Sequence, residues 1–273
     1  MAHKKQSENL TFWGHIEKLR WLIVRCFIVV FGIAIATFLF KDFVFDDIIL
    51  APCNGDFVTY RVMCRLADAI GMPSLCPQME SIEMININLA AQLFTHISIS
   101  FYIGLIVAFP YLIIELWLFV SPALYSSERK PAIKGIIAFS VLFFTGIFIA
   151  YYIIFPLTLN FLGTYQVSES VANQISLNSY ISTFLTLMFM LGLVFEMPVA
   201  AYFFAKIGLL TNSVMARFRK IAVVVILVAA AIITPSTDIF TMMLVAVPLF
   251  LLYEFSRIVV KRIEKSLKKE ETE

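Results

Sequence analysis

Apolar residues in this chain fall into six long runs, at 22–40, 97–120, 133–155, 180–205, 221–234 and 239–255, with polar segments between them. Runs of this kind predict helices that cross a bilayer, because a hydrocarbon core about 30 Å thick takes about 20 apolar residues at 1.5 Å each. A barrel would show short alternating strands instead, and only helices or closed barrels satisfy the backbone in lipid. The expected fold is an all-α integral membrane protein with six spans. The remaining segments are 1–21, loops at 41–96, 121–132, 156–179 and 206–220, a turn at 235–238 and a tail at 256–273.

Composition agrees: 60% of residues are hydrophobic and the mean hydropathy is +0.89, well above the half-apolar share of a soluble domain. Charge adds direction. Eighteen of the 21 bases lie in segments on the side of the N-terminus, leaving Lys41, Arg61 and Arg65 on the other. By the positive-inside rule both termini are expected in the cytoplasm. The net charge of +2 therefore reports orientation, and no nucleic-acid partner is implied. Bases precede the first run as in a signal peptide, but its 19 residues suit an uncleaved span better than a signal core.

The last two runs are short. Fourteen residues at 221–234 rise roughly 21 Å, less than the hydrocarbon thickness. Between them "TPSTD" at 234–238 predicts a tight turn, because Pro235 cannot continue a helix and Asp238 can cap the next one. The 41–96 loop carries seven acids and reads as a small folded cap on the far side. It also holds Cys53, Cys64 and Cys76. Any two of these could pair in an oxidising compartment, and spacing does not say which. No metal site is expected without neighbouring histidine or C-x-x-C spacing, and no cofactor is called for.

Polar residues inside the runs are the candidates for function. Glu196, in "LGLVFEMPVA", lies deep in the fourth run, where a charge costs a few kcal/mol. It is a functional candidate, or else a protonated group bonded to a neighbouring helix. Pro198 disturbs the backbone ladder beside it. Glu115 and Glu254 sit near run ends, and Glu254 can pair with Arg257 three residues on. Ahead of the first run, "SENLTFWGHIEKLRW" sets Leu10, Trp13, Ile16 and Leu19 near one face of a helix that Ser7 can cap, an interfacial amphipathic element. Glu17 and Arg20 there are spaced as a surface pair. The tail reads as a solvated end beside anionic lipid.

No catalytic signature is present: no H-E-x-x-H, no G-x-S-x-G and no phosphate loop. What is present, in order, is "HIEKLRWL" with His15, Leu19 and Arg20; "FVSPALYSSER" with Phe119, Pro122, Ala123, Leu124, Glu128 and Arg129; Phe195, Glu196 and Pro198; "TPSTD"; and Leu252, Tyr253 and Glu254. The chain from about His15 to Glu254 resembles the TatC family, the polytopic subunit of the twin-arginine protein translocase. Pro52 is similar to a proline of that family's first outer loop.

The resemblance implies a non-enzymatic receptor for signal peptides with consecutive arginines, seated in the bacterial cytoplasmic membrane. It also implies a glove-like bundle, TatA- or TatB-type single-span partners, self-association and export of folded proteins driven by the proton-motive force. Glu128, Phe119, Glu17, Arg20, Arg129 and His15 would form the signal-peptide site, and Glu196 with Pro198 the partner contact. Pro52, Pro122, Leu124, Asp238 and Glu254 would support the functional loops. A carboxylate takes a guanidinium through two parallel hydrogen bonds that lysine cannot reproduce. The chain departs from the family where Lys18 occupies a glutamate position. Either Glu17 replaces that acid or Glu128 serves alone, since adjacent helical positions point about 100° apart. The rival reading is a secondary transporter coupled to protons through Glu196, although no paired repeats support it.

Overall fold

The computed structural model describes residues 12–72, 76, 84–120, 129–166, 168, 174–234 and 238–270, with the side chains of Phe12, His15, Val120, residues 129–134 and residues 268–270 left out. Ten α-helices are described: α1 (Phe12–Leu39), α2 (Val58–Ile70), α3 (Ala91–Val120), α4 (Arg129–Ile149), α5 (Phe155–Thr164), α6 (Leu177–Val194), α7 (Met197–Lys206), α8 (Asn212–Arg217), α9 (Arg219–Ile233) and α10 (Ile239–Glu270). A π-helical turn at Ala150–Ile154 joins α4 to α5 without a break in direction of chain. Two residues of parallel pairing, β1 (Met84–Ile85) with β2 (Ile175–Ser176), tie the two long loops together.

Five segments are long and apolar enough to cross a membrane among the described residues: Ile16–Leu39, Ala91–Phe119, Gly135–Thr164, Leu177–Lys206 and Ile239–Leu267. The fifth expected span falls on α9, whose 15 residues rise only about 22 Å, short of the hydrocarbon core. The other helix expected to be short is not: α10 runs 32 residues to Glu270. Its apolar run stops near Phe255, but Lys, Glu, Arg and Leu are strong helix formers and carry the helix on. The N-terminal segment likewise is no separate element, because α1 continues unbroken from Phe12 to Leu39. Ser7 and Leu10 lie outside the described residues.

The bundle is organised around α6. Tyr180, Ile181, Phe184, Leu185, Leu187, Met188, Leu191 and Gly192 are all buried, so most of this helix is enclosed by others and only a narrow strip with Met190 and Leu193 faces outward. The remaining spans present apolar residues outward, among them Ile28, Ile35, Phe148 and Leu251, as lipid-facing helices must. Small residues bring helices close. A Cβ at Gly104 of α3 would lie 2.8 Å from the Val30 carbonyl oxygen of α1, and one at Gly146 of α4 would lie 2.8 Å from the Leu191 oxygen of α6. Close backbone approach of this type replaces the hydrophobic effect as the glue between helices in lipid.

The 41–96 loop is folded against the far end of this bundle. A π-helical stretch, Phe43–Ile49, and a 3₁₀ turn, Ala51–Cys53, precede α2. Tyrosine hydroxyls from the bundle hold this irregular backbone: Tyr151 donates to the Ile48 carbonyl at 2.7 Å and Tyr180 to that of Ile49 at 2.5 Å. Tyr60 donates to the carbonyls of Pro52 and Pro156, at 3.1 and 3.2 Å, and Thr59 bonds the Tyr152 carbonyl. The bonds to Ile48, Ile49 and Pro52 answer carbonyls of the irregular stretch. The cysteine question also resolves here: Cys64 and Cys76 form a disulfide, with Cα atoms 4.4 Å apart. Cys53 is buried and free, and burial pushes its thiol up, which leaves it unreactive.

Candidate functional site

Antiparallel packing of α1 on α3 fixes which residues share the end of the bundle that carries the N-terminus. Phe38 stacks on His96 at 4.0 Å, Phe31 meets Phe101 at 6.0 Å, and Arg25 reaches Glu115 at 3.2 Å. Continued in step along two unbroken helices, this register sets Glu17 level with the last turn of α3 and Phe119. From there the chain leaves into "SPALYSSE" at 121–128. Glu128, Pro122 and Leu124 lie outside the described residues, as do the side chains of His15 and Arg129.

Around that end three described acids, Glu17, Glu115 and Glu254, are set in distinct ways, and Glu264 farther along α10 accepts from the Asn212 amide at 3.2 Å. Glu17 and Arg20 stand 4.0 Å apart on the exposed surface of α1, a separation worth little to stability at that exposure. Lys18 and Leu19 are exposed beside them. Glu115 is the buried acid. Its Oε1 accepts from Tyr111, one turn earlier on α3, at 2.7 Å and from Arg25 of α1 at 3.2 Å. Glu115 is 6% exposed, so its carboxylate sits in low dielectric while Arg25 is half exposed, and the pair fastens α1 to α3. Sequence reading took Arg25 only as an orientation signal and Glu115 as one more acid near an interface. No local pattern links two residues 90 positions apart.

Glu254 forms the third arrangement. It pairs with Arg257 on its own helix at 3.2 Å, as the spacing predicts, and also with Arg219 at the start of α9 at 2.7 Å. Arg219 in turn lies over the Phe250 ring at 5.7 Å. One carboxylate between two guanidiniums fixes α9 against α10. Tyr253 beside it donates to the Met215 carbonyl at 2.7 Å, which adds α8 to the same corner. At the other end of α10, Asp238 caps the helix through the Thr241 amide at 2.8 Å and hydroxyl at 2.5 Å. Pro235 lies outside the described residues.

Glu196 occupies a break in the fourth span. The Glu196 amide bonds back to Leu193 at 3.1 Å, three residues rather than four, and Pro198 has no N–H to offer the Val194 carbonyl. Helix α6 therefore ends at Val194 and α7 begins at Met197. Both carboxyl oxygens of Glu196 are buried without a hydrogen-bond partner among the described residues. Such a group costs about 1–3 kcal/mol if nothing completes it. A shallow groove of about 410 Å³ lies on α4 along Ser140, Val141, Phe144, Thr145 and Phe148. The hydroxyls of Ser140 and Thr145 bond their own helix there, which leaves the groove apolar and unlike a site for a polar solute.

Residues 14–248 match the family model of the Sec-independent protein translocase protein TatC. The TatC protein of Blattabacterium sp. subsp. Periplaneta americana (strain BPLAN) is 32% identical over 258 residues, 93% of this chain and 96% of that one. That of Aquifex aeolicus (strain VF5) is 39% identical over 176 residues, 64% of this chain and 72% of that one. Among solved structures, a crystal structure of a twin arginine translocase receptor, TatC, in DDM superposes with a TM-score of 0.72 at 32% identity. It covers 90% of this chain and 99% of its own. A second crystal structure of a twin arginine translocase receptor, TatC, gives a TM-score of 0.69 at 30% identity, covering 92% and 99%. The match extends over nearly the whole chain, through the acid-lined helix ends and the break at Glu196, and the chain belongs to the TatC family of Sec-independent protein translocase components, a transport family rather than an enzyme family.

Proposed function

We propose that this protein is the receptor for twin-arginine signal peptides and the core subunit of a translocase that exports folded proteins across the bacterial cytoplasmic membrane. The proton-motive force supplies the energy. In this reading both termini are cytoplasmic, α9 is a sixth, short span, and the bundle is a concave glove that thins the bilayer beside α9. The observation that supports it best is the register of α1 against α3, which sets Glu17 level with Phe119 and with the start of the loop that carries Glu128. A signal peptide's arginines would meet Glu128, with Arg129, Arg20 and His15 around it, and Phe119 would cover the apolar side of the peptide.

Glu196 supports the partner half of the reading. Two unpaired carboxyl oxygens in a helix break offer a polar contact to a single-span helix of the TatA or TatB type, which would complete the missing bonds. Neither self-association nor lipid contact conflicts with it, since the outward apolar faces are extensive.

The test is site-specific photo-crosslinking at Glu128 and, separately, at Glu17, with a folded reporter carrying either an Arg-Arg or a Lys-Lys signal. Crosslinks at Glu128 that vanish with Lys-Lys are expected. Loss at Glu17 as well would mean that Glu17 has taken over from the acid absent at Lys18. Equal crosslinking of both signals at both positions would remove the receptor assignment.

A further inference from the structure

Helix α2 in the far-side cap carries an apolar stripe that nothing in the described structure covers. Val58, Val62, Leu66 and Ile70 recur every fourth residue and are 47%, 48%, 55% and 64% exposed. A soluble cap would turn such a face inward. Here the inward face is a different one, built on Tyr60 and Ala67, both 1% exposed. At about 100° per residue, the third side of the helix is polar: Arg61, Arg65 and Asp68, all exposed. The helix thus has three faces, one on the protein, one of oil and one of charge.

Its height in the molecule is set by what it touches. Thr59 bonds the carbonyl of Tyr152 and Tyr60 that of Pro156. The apolar span that contains these two begins at Gly135. Seventeen to 21 residues separate them from it, about 26–32 Å of helix, which is the thickness of the hydrocarbon core. Helix α2 therefore lies where oil gives way to headgroups. At the far-side end of α1 and just beyond it, Leu39, Phe40 and Phe43 are likewise 74%, 68% and 60% exposed.

The geometry points to α2 as a membrane-interface helix: its stripe enters the acyl boundary of the leaflet, and Arg61 and Arg65 contact phospholipid phosphates. An amphipathic helix with bases beside its apolar face is the form that binds a bilayer in plane, and guanidiniums match phosphate geometry. Two further features keep the helix in place. Gly71, at φ +74°, ends it in a left-handed cap with the Met72 amide bonded to Ala67 at 2.9 Å. The Cys64–Cys76 disulfide fastens the helix to the chain that follows it. This inference does not depend on the receptor reading.

The experiment uses the full chain with Trp13, Trp21 and Trp117 replaced by Phe, and one tryptophan introduced as Leu66→Trp, Val62→Trp or Asp68→Trp. Each protein is reconstituted into phosphatidylethanolamine and phosphatidylglycerol vesicles. Lipids brominated near the headgroup are expected to quench the probes at 62 and 66 at least twofold more than aqueous iodide does, and the reverse is expected at 68. Two probes on the stripe guard against one variant failing to fold. Quenching of 62 and 66 by iodide alone would stand α2 clear of the bilayer and overturn the proposal. Shielding from both quenchers would overturn it too, in favour of a protein cover such as a second copy of the chain.

Discussion

The closest test of the bundle's construction is a single methyl group at Gly146. A Cβ there would lie 2.8 Å from the Leu191 carbonyl oxygen and 2.8 Å from Cβ and Cγ of Phe195. The oxygen belongs to the backbone of the central helix and cannot swing aside, so α4 and α6 must separate. Overpacking of this kind costs about 1–3 kcal/mol. Alanine recovers about 1 kcal/mol over glycine through helix propensity, which leaves a net loss of about 0–2 kcal/mol. Gly32 on α1 supplies the control, because a Cβ there meets nothing within 4 Å, and Gly32→Ala is expected to be neutral or stabilising. The assay is the thermal midpoint in mild detergent, followed by size-exclusion fluorescence. At about 2–4 °C per kcal/mol for a chain near this size, Gly146→Ala should lower the midpoint by up to about 8 °C and place it below that of Gly32→Ala. A midpoint for Gly146→Ala equal to or above that of Gly32→Ala would refute the close apposition of the two helices.

Two other expectations rest on the same kind of reasoning. Arg25→Gln should destabilise the protein by stranding the buried Glu115 carboxylate, by less than the roughly 3–5 kcal/mol of a fully buried pair because Arg25 is half exposed. A double-mutant cycle with Glu115→Gln should then show coupling above the roughly 0.3–0.5 kcal/mol of independent sites, and coupling below that would mean the pair does not fasten α1 to α3. For the disulfide, maleimide labelling of unreduced, denatured protein should find two thiols, Cys26 and Cys53, rising to four on reduction. Cys64→Ser should lose roughly 3 kcal/mol, as expected for a loop of this length, and four thiols before reduction would exclude the bond.

What the sequence made legible was whatever local chemistry decides. Run length identified the long spans, Pro198 announced the break at Glu196, Asp238 announced the cap on α10, and spacing found the Glu254–Arg257 pair. Errors came where helix continues beyond oil. The apolar run ends near Phe255 while α10 continues to Glu270, and the polar start of α1 belongs to the same helix as its span. Hydropathy measures lipid contact and is blind to helix carried on by charged residues. Contacts across long separations were beyond reach altogether: Arg25 with Glu115, Arg219 with Glu254, and the tyrosine hydroxyls that hold residues 48–52. The choice of Cys64 and Cys76 among three cysteines was equally tertiary, since Cys53 is buried beside Tyr180 and free.

The contrast between Glu115 and Glu196 separates acids that serve the fold from acids held ready for something else. Glu115 has Tyr111 and Arg25 on one oxygen and joins two helices, so its loss should appear as instability. Glu196 has no described partner on either oxygen, and its helix already breaks at Pro198 without help from the carboxyl. Removing an uncompensated buried polar group returns about 1–3 kcal/mol, so Glu196→Leu should raise the thermal midpoint of the isolated protein or leave it unchanged. Export of a twin-arginine reporter should fall in the same variant, because the contact offered to a partner helix has gone. Stability gained with activity lost is the signature of a site kept at a cost to the fold. A drop in midpoint for Glu196→Leu would instead assign the carboxyl to the bundle's own cohesion, and the partner contact would have to be sought elsewhere on the lipid-facing surface.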